Sequence, residues 1–304
     1  MPTKRTPRAT HSDPLLGAHI WTTGGLLTCF ERAVELDVNT FQIFIKSNKQ
    51  FFARSPISPE DIASFRTMRS EWEAKLKKAG RRVGPIVAHA SYLLNLGSSD
   101  PEMQERSRLS YQAEIERAET IGIDHLVFHP GSHNKLGEEG AIRNIIDALN
   151  DIHADTKGLH TTSCVEITAG QGAAVGYQFE HLERILGGMR EPERVTICLD
   201  TCHMFAAGYD IRTAEAWEET FEVFEEQIGF EKLVCVHTND SKKGLGSKVD
   251  RHEGIGQGEI GTEAFRLLMN DPRFQDIPKI LETPKDEDMT EDFVNLRLLR
   301  SLIA

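Results

Sequence analysis

The sequence has no long apolar stretch and few aromatic residues. Aromatics make up 7% of the 304 residues, and no uninterrupted apolar run approaches the roughly 20 residues that a membrane-spanning helix needs. A membrane protein is therefore excluded. Residues 1–13 carry Lys4, Arg5 and Arg8 but no apolar segment of the kind found in secretory signals. We expect residues 1–13 to form a disordered basic tail.

Cysteine is scarce. There are five cysteines, an odd number, and no two of them form a CxxC pair, so the sequence does not indicate a disulfide framework. Three of the five lie in apolar, strand-like runs. This pattern predicts reduced, buried thiols in a cytosolic protein. The five are Cys29, Cys164, Cys198, Cys202 and Cys235.

Basic residues are also fewer than acidic residues. The chain has 35 Lys and Arg residues against 47 Asp and Glu residues, a formal net charge of −12. Domains that bind nucleic acids in general are usually basic, so the charge disfavours such a protein. A phosphate substrate stays compatible with this charge if some carboxylates hold metal cations, or if the basic residues are grouped locally.

The sequence does contain a regular alternation of short apolar runs and amphipathic segments. Alternation of this kind is typical of parallel strands joined by right-handed helical crossovers, and eight such units predict one closed (β/α)8 TIM barrel over residues 14–304. No linker or change of composition divides the chain. The predicted strands are 15–20, 39–45, 85–89, 125–129, 163–167, 195–200, 233–237 and 279–282. The predicted helices are 26–36, 59–78, 101–121, 138–154, 177–186, 213–227, 262–269 and 291–302.

Six of these strands end in a histidine or an acidic residue. The carboxyl-terminal ends of barrel strands form the mouth where catalytic groups converge, so we expect the active site there. One further histidine follows the sixth strand closely, and one acid and one histidine lie in the loop after the seventh. The nine candidates are His89, His129, Glu166, Asp200, His203, His237, Asp250, His252 and Glu282.

Five imidazoles and four carboxylates make a ligand set of nitrogen and oxygen, which suits Zn²⁺, Mn²⁺ or Fe²⁺. Nine ligands are too many for one ion, whereas two or three ions fit if a carboxylate bridges. Clusters of this kind are typical of phosphoester hydrolases. A single histidine is more often a packing residue, but the nine together favour a metal centre.

Two loops at the predicted mouth are basic. Residues 241–249 are rich in glycine and lysine, and residues 46–54 place aromatic side chains between cations. Such loops can follow phosphates and wedge into base stacks, and their cations would then face a polyanionic substrate. The alternative is that each is only a solvated, mobile loop. Both lie beside the candidate metal centre, which favours a phosphodiester substrate.

The sequence contains, in order, the blocks HASYLLNLG at 89–97, HPGS at 129–132, EITAGQG at 166–172, DTCHMFAAGYD at 200–210, HTNDSK at 237–242 and DRHE at 250–253. Together these blocks resemble the endonuclease IV family of apurinic/apyrimidinic (AP) endonucleases. The resemblance extends from residues 17–19 to residues 282–284. It implies a TIM barrel with three zinc ions that cleaves duplex DNA 5′ to an abasic site, leaving a 3′-hydroxyl and a 5′-deoxyribose phosphate, with 3′-end processing as a further activity.

The resemblance also implies how the ligands are shared. His89, His129 and Glu166 would hold the first zinc ion. Glu166, the expected catalytic residue, would bridge to a second ion that is completed by Asp200, His237 and Glu282. The third ion would be held by His203, Asp250 and His252. Mn²⁺ or Fe²⁺ are alternatives at some positions. Three divalent ions would bring the net charge from −12 to −6.

The DNA contacts implied by the resemblance lie in the mouth loops. Tyr92 and Leu93 match positions that enter the duplex at the lesion while the DNA bends and the abasic nucleotide turns out. Lys49 and Phe51 stand where the best-known members carry arginine and tryptophan, which retains a cation and an aromatic ring but loses guanidinium stacking. Arg251 is the remaining candidate. The expected partner is abasic duplex DNA, bound by a monomer in the cytoplasm, associated with the nucleoid in a bacterium.

Two other functions remain open at this point. Sugar isomerases that resemble this barrel also place His, Asp and Glu at strand ends, but they usually use a two-metal, carboxylate-dominated site with a lysine nearby. Five histidines and basic, aromatic mouth loops favour phosphodiester cleavage. A non-catalytic protein that binds lesions is disfavoured because the ligand set is complete.

Overall fold

The computed structural model describes residues 13–286 and 288–304. The predicted disordered tail therefore lies outside the described residues, except for Asp13. Within the described part of the chain, no helix combines the length and the apolar character needed to cross a membrane.

Eight of the strands form the predicted barrel. The barrel strands are β1 Leu16–Ile20, β2 Phe41–Ile43, β3 Ile86–His89, β4 His125–Phe128, β5 Thr162–Glu166, β6 Val195–Asp200, β7 Leu233–His237 and β10 Lys279–Leu281. All are parallel, and the closed order is β1-β10-β7-β6-β5-β4-β3-β2. The strands β8 Asp240–Ser241 and β9 His252–Glu253 form a separate antiparallel hairpin, which the sequence pattern did not predict.

The helices surround the barrel, and their ends follow local chemistry. Ser58 caps α2 by accepting a hydrogen bond from the backbone N–H of Asp61 at 3.0 Å, with proline in the first turn. Gly122 ends α3 with φ +78°, which favours glycine. The helices are α1 Thr28–Glu35, α2 Pro59–Lys78, α3 Pro101–Ile121, α4 Gly137–Asp155, α5 Phe179–Gly187, α6 Thr201–Ala207, α7 Ala214–Gln227, α8 Thr262–Asn270 and α9 Thr290–Ser301. The short helix α6 was not predicted.

The inside of the barrel is filled by a small apolar cluster made of Val87, Val127, Cys164, Cys198, Cys235 and Ile280. All five cysteines are buried and free, as predicted. Because side chains two residues apart point to the same face of a strand, this layer lies directly below the last residues of β5, β6 and β7. Apolar side chains therefore line the bottom of the barrel mouth.

Candidate metal centre at the barrel mouth

The barrel brings six of the nine candidate ligands to one end. Four are the last residues of β3, β5, β6 and β7, and two directly follow β4 and β10. Since all the strands are parallel, their carboxyl ends meet at the same mouth. The six are His89, His129, Glu166, Asp200, His237 and Glu282.

Glu166 lies at the centre of the cluster and is 0% exposed. Its Oε2 is 3.1 Å from His89 Nε2 and 3.1 Å from His129 Nε2. Its Oε1 is 3.0 Å from His237 Nδ1 and 3.2 Å from His203 Nδ1. One carboxylate is thus shared by four imidazoles, two at each oxygen, which is the arrangement that a bridging ligand needs.

Two groups of donors meet at this carboxylate. In the first, one atom from each of His89, His129 and Glu166 lies within 4.8 Å of the others. The second group satisfies the same limit and consists of Glu166, Asp200, His237 and Glu282. Within it, Glu282 Oε2 is 3.3 Å from His237 Nδ1.

A third group of donor residues lies beside Asp200. These residues come from segments outside the barrel strands. His203 comes from α6, and His252 opens β9. Asp250 lies between them, with Oδ2 3.2 Å from His203 Nε2 and Oδ1 3.3 Å from His252 Nε2. Asp200, His203 and His252 also offer donor atoms within 4.8 Å of one another. The structure therefore brings all nine candidates together.

The start of α6 explains how His203 reaches the cluster. The side chain of Asp200 caps the helix, its Oδ1 accepting a hydrogen bond of 2.9 Å from the backbone N–H of His203. Its other oxygen accepts a hydrogen bond of 2.7 Å from Asn239 Nδ2. The loop that carries Asp250 is fixed as well, since the backbone N–H of Asp250 donates to Gln171 Oε1 at 3.1 Å.

The residues present fit divalent cations. Donor atoms around a tetrahedral Zn²⁺ lie about 3.3 Å apart, given metal–ligand distances near 2 Å. The nitrogen–oxygen distances around Glu166 are close to that value, at 3.0 to 3.2 Å. The Nε2 atoms of His203 and His252 are buried and make no hydrogen bond, although Asp250 lies 3.2 and 3.3 Å away. Buried nitrogens without a hydrogen bond beside carboxylates are expected where a cation completes the site.

Neighbouring imidazoles keep the carboxylates of Glu166 and Asp250 ionised. Burial raises the pKa of Glu166, but the charges of His237 and His129 outweigh it, so the pKa lies well below the ordinary value. Burial lowers the pKa of His237, but Glu282 and Glu166 outweigh it and raise the pKa to about 10. Burial raises the pKa of Asp250, but the hydrogen bond and charge of His203 bring it to about 2. The cluster therefore holds deprotonated oxygens ready for a cation that replaces the imidazole protons.

Sequence reasoning missed the residues that orient the ligands. Gln42 in β2 donates from Nε2 to Glu282 Oε1 at 2.6 Å, and its Oε1 is 2.8 Å from His237 Nε2. Asn239 accepts a hydrogen bond from the backbone N–H of Glu282 at 2.8 Å. His19, at the end of β1, has its Nδ1 3.3 Å from Glu282 Oε1. The available signal was a polar residue inside an otherwise apolar strand, which needs a buried partner.

The five candidate DNA contacts lie in the mouth loops. Tyr92 and Leu93 are 54% and 41% exposed, and the ring centroid of Tyr92 is 5.2 Å from that of His89. Lys49 and Arg251 are exposed. Phe51 is half-buried and packs against the hydrophobic core, so part of its role is structural.

For Lys46, the expectation that the cations of the loop face the substrate is wrong. Its Nζ lies 3.1 Å from Glu114 Oε1, and the two side chains are 4% and 1% exposed. The ammonium group is therefore used inside the protein, where it fixes the loop. Arg54 in the same loop is exposed.

Comparison with known proteins first defines the class. A family model described as xylose isomerase-like TIM barrel matches residues 30–301, so the chain is a barrel of that class. A solved D-tagatose 3-epimerase-like protein shares the fold, with a TM-score of 0.68 and 20% identity, covering 94% of this chain and 96% of that one.

Nearer relatives identify the family within that class. "Probable endonuclease 4" of Chloroflexus aurantiacus is 46% identical over 290 residues, which cover 95% of this chain and 98% of the relative. The crystal structure of endonuclease IV from Thermus thermophilus has a TM-score of 0.80 and 35% identity, covering 95% of this chain and 98% of that one. The chain belongs to the endonuclease IV family, and it is an endonuclease.

Proposed function

We propose that the protein is a DNA-repair AP endonuclease that hydrolyses the phosphodiester 5′ to an abasic site in duplex DNA. The products are a 3′-hydroxyl and a 5′-deoxyribose phosphate. The observation that carries the proposal is the gathering of nine residues with nitrogen or oxygen donors, Glu166 at their centre, at the mouth of the barrel. Membership of the endonuclease IV family supports it.

Three zinc ions are proposed per chain, with Mn²⁺ or Fe²⁺ able to use the same donors. His89 and His129 hold the first with Glu166, which is shared with the second. Asp200, His237 and Glu282 complete the second, and His203, Asp250 and His252 hold the third. When bound, such ions polarise the phosphodiester and stabilise the charge on its attacking and leaving oxygens.

The remaining steps belong to the chain's own side chains. Glu166 fixes four imidazoles through its two oxygens. Gln42 and Asn239 orient Glu282 through a side-chain oxygen and the backbone N–H, so that this carboxylate keeps one position. The apolar layer under the site excludes water from below. Tyr92 and Leu93 enter the base stack where the missing base leaves less stacking to break.

The proposed ions also explain how a chain with a negative net charge can bind DNA. Three divalent cations reduce the net charge from −12 to −6 and concentrate positive charge at the mouth. Exposed Lys49 and Arg251 add cations around it. DNA phosphates are then drawn to the mouth, where the ions and these side chains concentrate positive charge.

All nine proposed ligands come from one chain, so the site is complete within one protomer. A monomer, with a single catalytic domain over residues 14–304, stays a prediction. Location in the cytoplasm, with the nucleoid in a bacterium, stays a prediction.

A nicking assay combined with elemental analysis tests the proposal. The zinc-loaded protein is incubated with a duplex that carries one abasic site and with the matched intact duplex. We expect a single nick 5′ to the lesion, a 3′ end that a polymerase extends, and three zinc ions per chain. Removal of the ions with a chelator should abolish the nick, and added zinc should restore it.

Two results would overturn the assignment. Isomerisation of an aldose without incision of the abasic duplex would make the protein a sugar isomerase. Tight binding of the abasic duplex without strand scission in zinc-replete buffer would make it a lesion-binding protein.

A further inference from the structure

Arg106 is a cation of α3 that the proposed function does not use. Its Cζ lies 4.2 Å from the centroid of the Phe51 ring, so the guanidinium stacks on the aromatic face. The side chain is exposed, and it forms no ion pair or hydrogen bond with any residue that the structure describes. Glu102, one turn earlier, does not pair with it.

The nearby Arg108 shows the contrast. Its guanidinium is 2.8 Å from Glu105 Oε2 and 3.1 Å from Asp155 Oδ2. Arg108 therefore neutralises acids on the protein's own surface. Arg106, two residues earlier on the same helix, keeps its hydrogen-bond donors free.

Arg106 lies at the mouth of the barrel. The helix α3 begins at Pro101, directly after the loop that follows β3, so its first two turns are at the carboxyl end of the strands. Met103 is on the same helix face as Arg106, three residues before it. Met103 lines a cavity of about 410 Å³ together with Tyr92 and Leu93. Arg106 is thus about one helical turn from Met103, which shares this cavity with the residues proposed to enter the duplex.

Hydrogen bonds fix the position of Phe51, on which this guanidinium stacks. Its backbone carbonyl accepts a hydrogen bond from the hydroxyl of Ser110 in α3. The hydroxyl of Ser91 donates to the carbonyl of Asn48 in the same loop at 2.8 Å. A guanidinium held on a fixed ring loses little freedom when it binds a phosphate.

We propose that Arg106, held on Phe51, binds a backbone phosphate of duplex DNA beside the lesion. A free, planar guanidinium matches two phosphate oxygens in a bidentate contact. This inference rests on the proposed function for its substrate, since it takes DNA as the polyanion at the mouth. The contact supplies affinity for any duplex, because phosphates carry no sequence information.

The test compares Arg106→Ala with Arg108→Ala in the zinc-loaded full-length protein. Binding to an intact, fluorescein-labelled duplex is followed by anisotropy over a range of KCl concentrations. Arg106→Ala should weaken binding about fivefold to tenfold and reduce the slope of log affinity against log salt by about one. Arg108→Ala should match the wild type. Arg106→Lys should restore the slope and only part of the affinity.

The role of Phe51 is tested in the same assay. Phe51→Leu should weaken binding, and adding Arg106→Ala to it should cost less than in the wild-type background, because the support is already gone. An affinity and slope of Arg106→Ala equal to those of Arg108→Ala would overturn the inference. Since the intact duplex is not cut, this result does not depend on incision. Loss of the proposed function would appear separately, as a wild type that leaves the abasic duplex whole.

Discussion

The ammonium group of Lys46 lies 3.1 Å from a carboxylate oxygen of Glu114, and water is almost excluded from both side chains. Lys46 Nζ also donates to the backbone carbonyl of Gln50 at 2.6 Å. The ion pair therefore joins the mouth loop after β2 to α3. The same loop carries Lys49 and Phe51, so their positions depend on a contact that never meets the substrate.

Removing one partner of this ion pair should destabilise the fold more than removing both. Glu114→Leu or Lys46→Met leaves a buried charge without its partner, and each should lower the free energy of unfolding by about 3 to 5 kcal/mol. The double variant Lys46→Met/Glu114→Leu should recover much of that loss. Urea denaturation of the four proteins measures the coupling. Losses that simply add in the double variant would show that the pair acts as two independent residues.

Glu166→Gln should remove most of the incision activity. The amide keeps the shape of the side chain but loses the charge that both proposed ions share, so kcat should fall by at least about a hundredfold. Elemental analysis should find less metal per chain in the same sample. Glu263→Gln, on the exposed face of α8, is the matched control and should keep the wild-type rate. A wild-type rate in Glu166→Gln would refute the central role of this carboxylate.

Tyr92→Ala combined with Leu93→Ala should weaken the preference for abasic over intact duplex. Both side chains are exposed at the mouth, where they have no part in holding ions. We expect the dissociation constant for intact duplex, divided by that for abasic duplex, to fall by about tenfold, since insertion between bases is worth a few kcal/mol at most. Metal content should stay the same. If zinc is lost in parallel with discrimination, the two residues are structural.

The stability of the fold should depend on the protonation of His153 in α4. Burial, with a smaller effect from the charge of Arg194, lowers the pKa of His153 from 6.5 to about 4. The folded protein then binds fewer protons than the unfolded chain, so the stabilisation by neutral His153 is complete above pH 6.5. It is lost as the pH falls to about 4.

His153→Gln removes this titration and can still hydrogen-bond the Ser163 hydroxyl that His153 contacts at 2.9 Å. Between pH 6.5 and 4 the free energy of unfolding of the wild type should fall by up to about 3 kcal/mol more than that of the variant. Urea titrations at several pH values measure this difference. His160→Gln is the control, because the side chain of His160 is 93% exposed. Parallel pH curves for the wild type and His153→Gln would contradict the assignment.

The barrel was predictable because its signals are local. Each strand is a short apolar run, and six of the candidate ligands are adjacent in sequence to such a run. Helix α6 gave no such signal, since it has seven residues, six of them buried, and no polar face. The hairpin of β8 and β9 has only two residues per strand, too few for a sequence pattern. It forms because residues 240–241 pair with residues 252–253.

The supporting residues of the site were hidden for a different reason. Gln42 and Glu282 form a hydrogen bond across 240 positions of sequence, and Gln42 and His237 meet across 195. No spacing rule links such residues, because only barrel closure makes them neighbours. Lys46 was misjudged in the same way, since it lies in a loop and its partner Glu114 lies far along the chain in α3.

Barrel closure also has a consequence for synthesis of the enzyme. β1 pairs with β10, and His19 at the end of the first strand meets Glu282, which directly follows the last. A ribosome must therefore deliver almost all of the chain before the final ligand can join the others. Polypeptides released before residue 282 is added lack that carboxylate, and we expect them to have no nuclease activity.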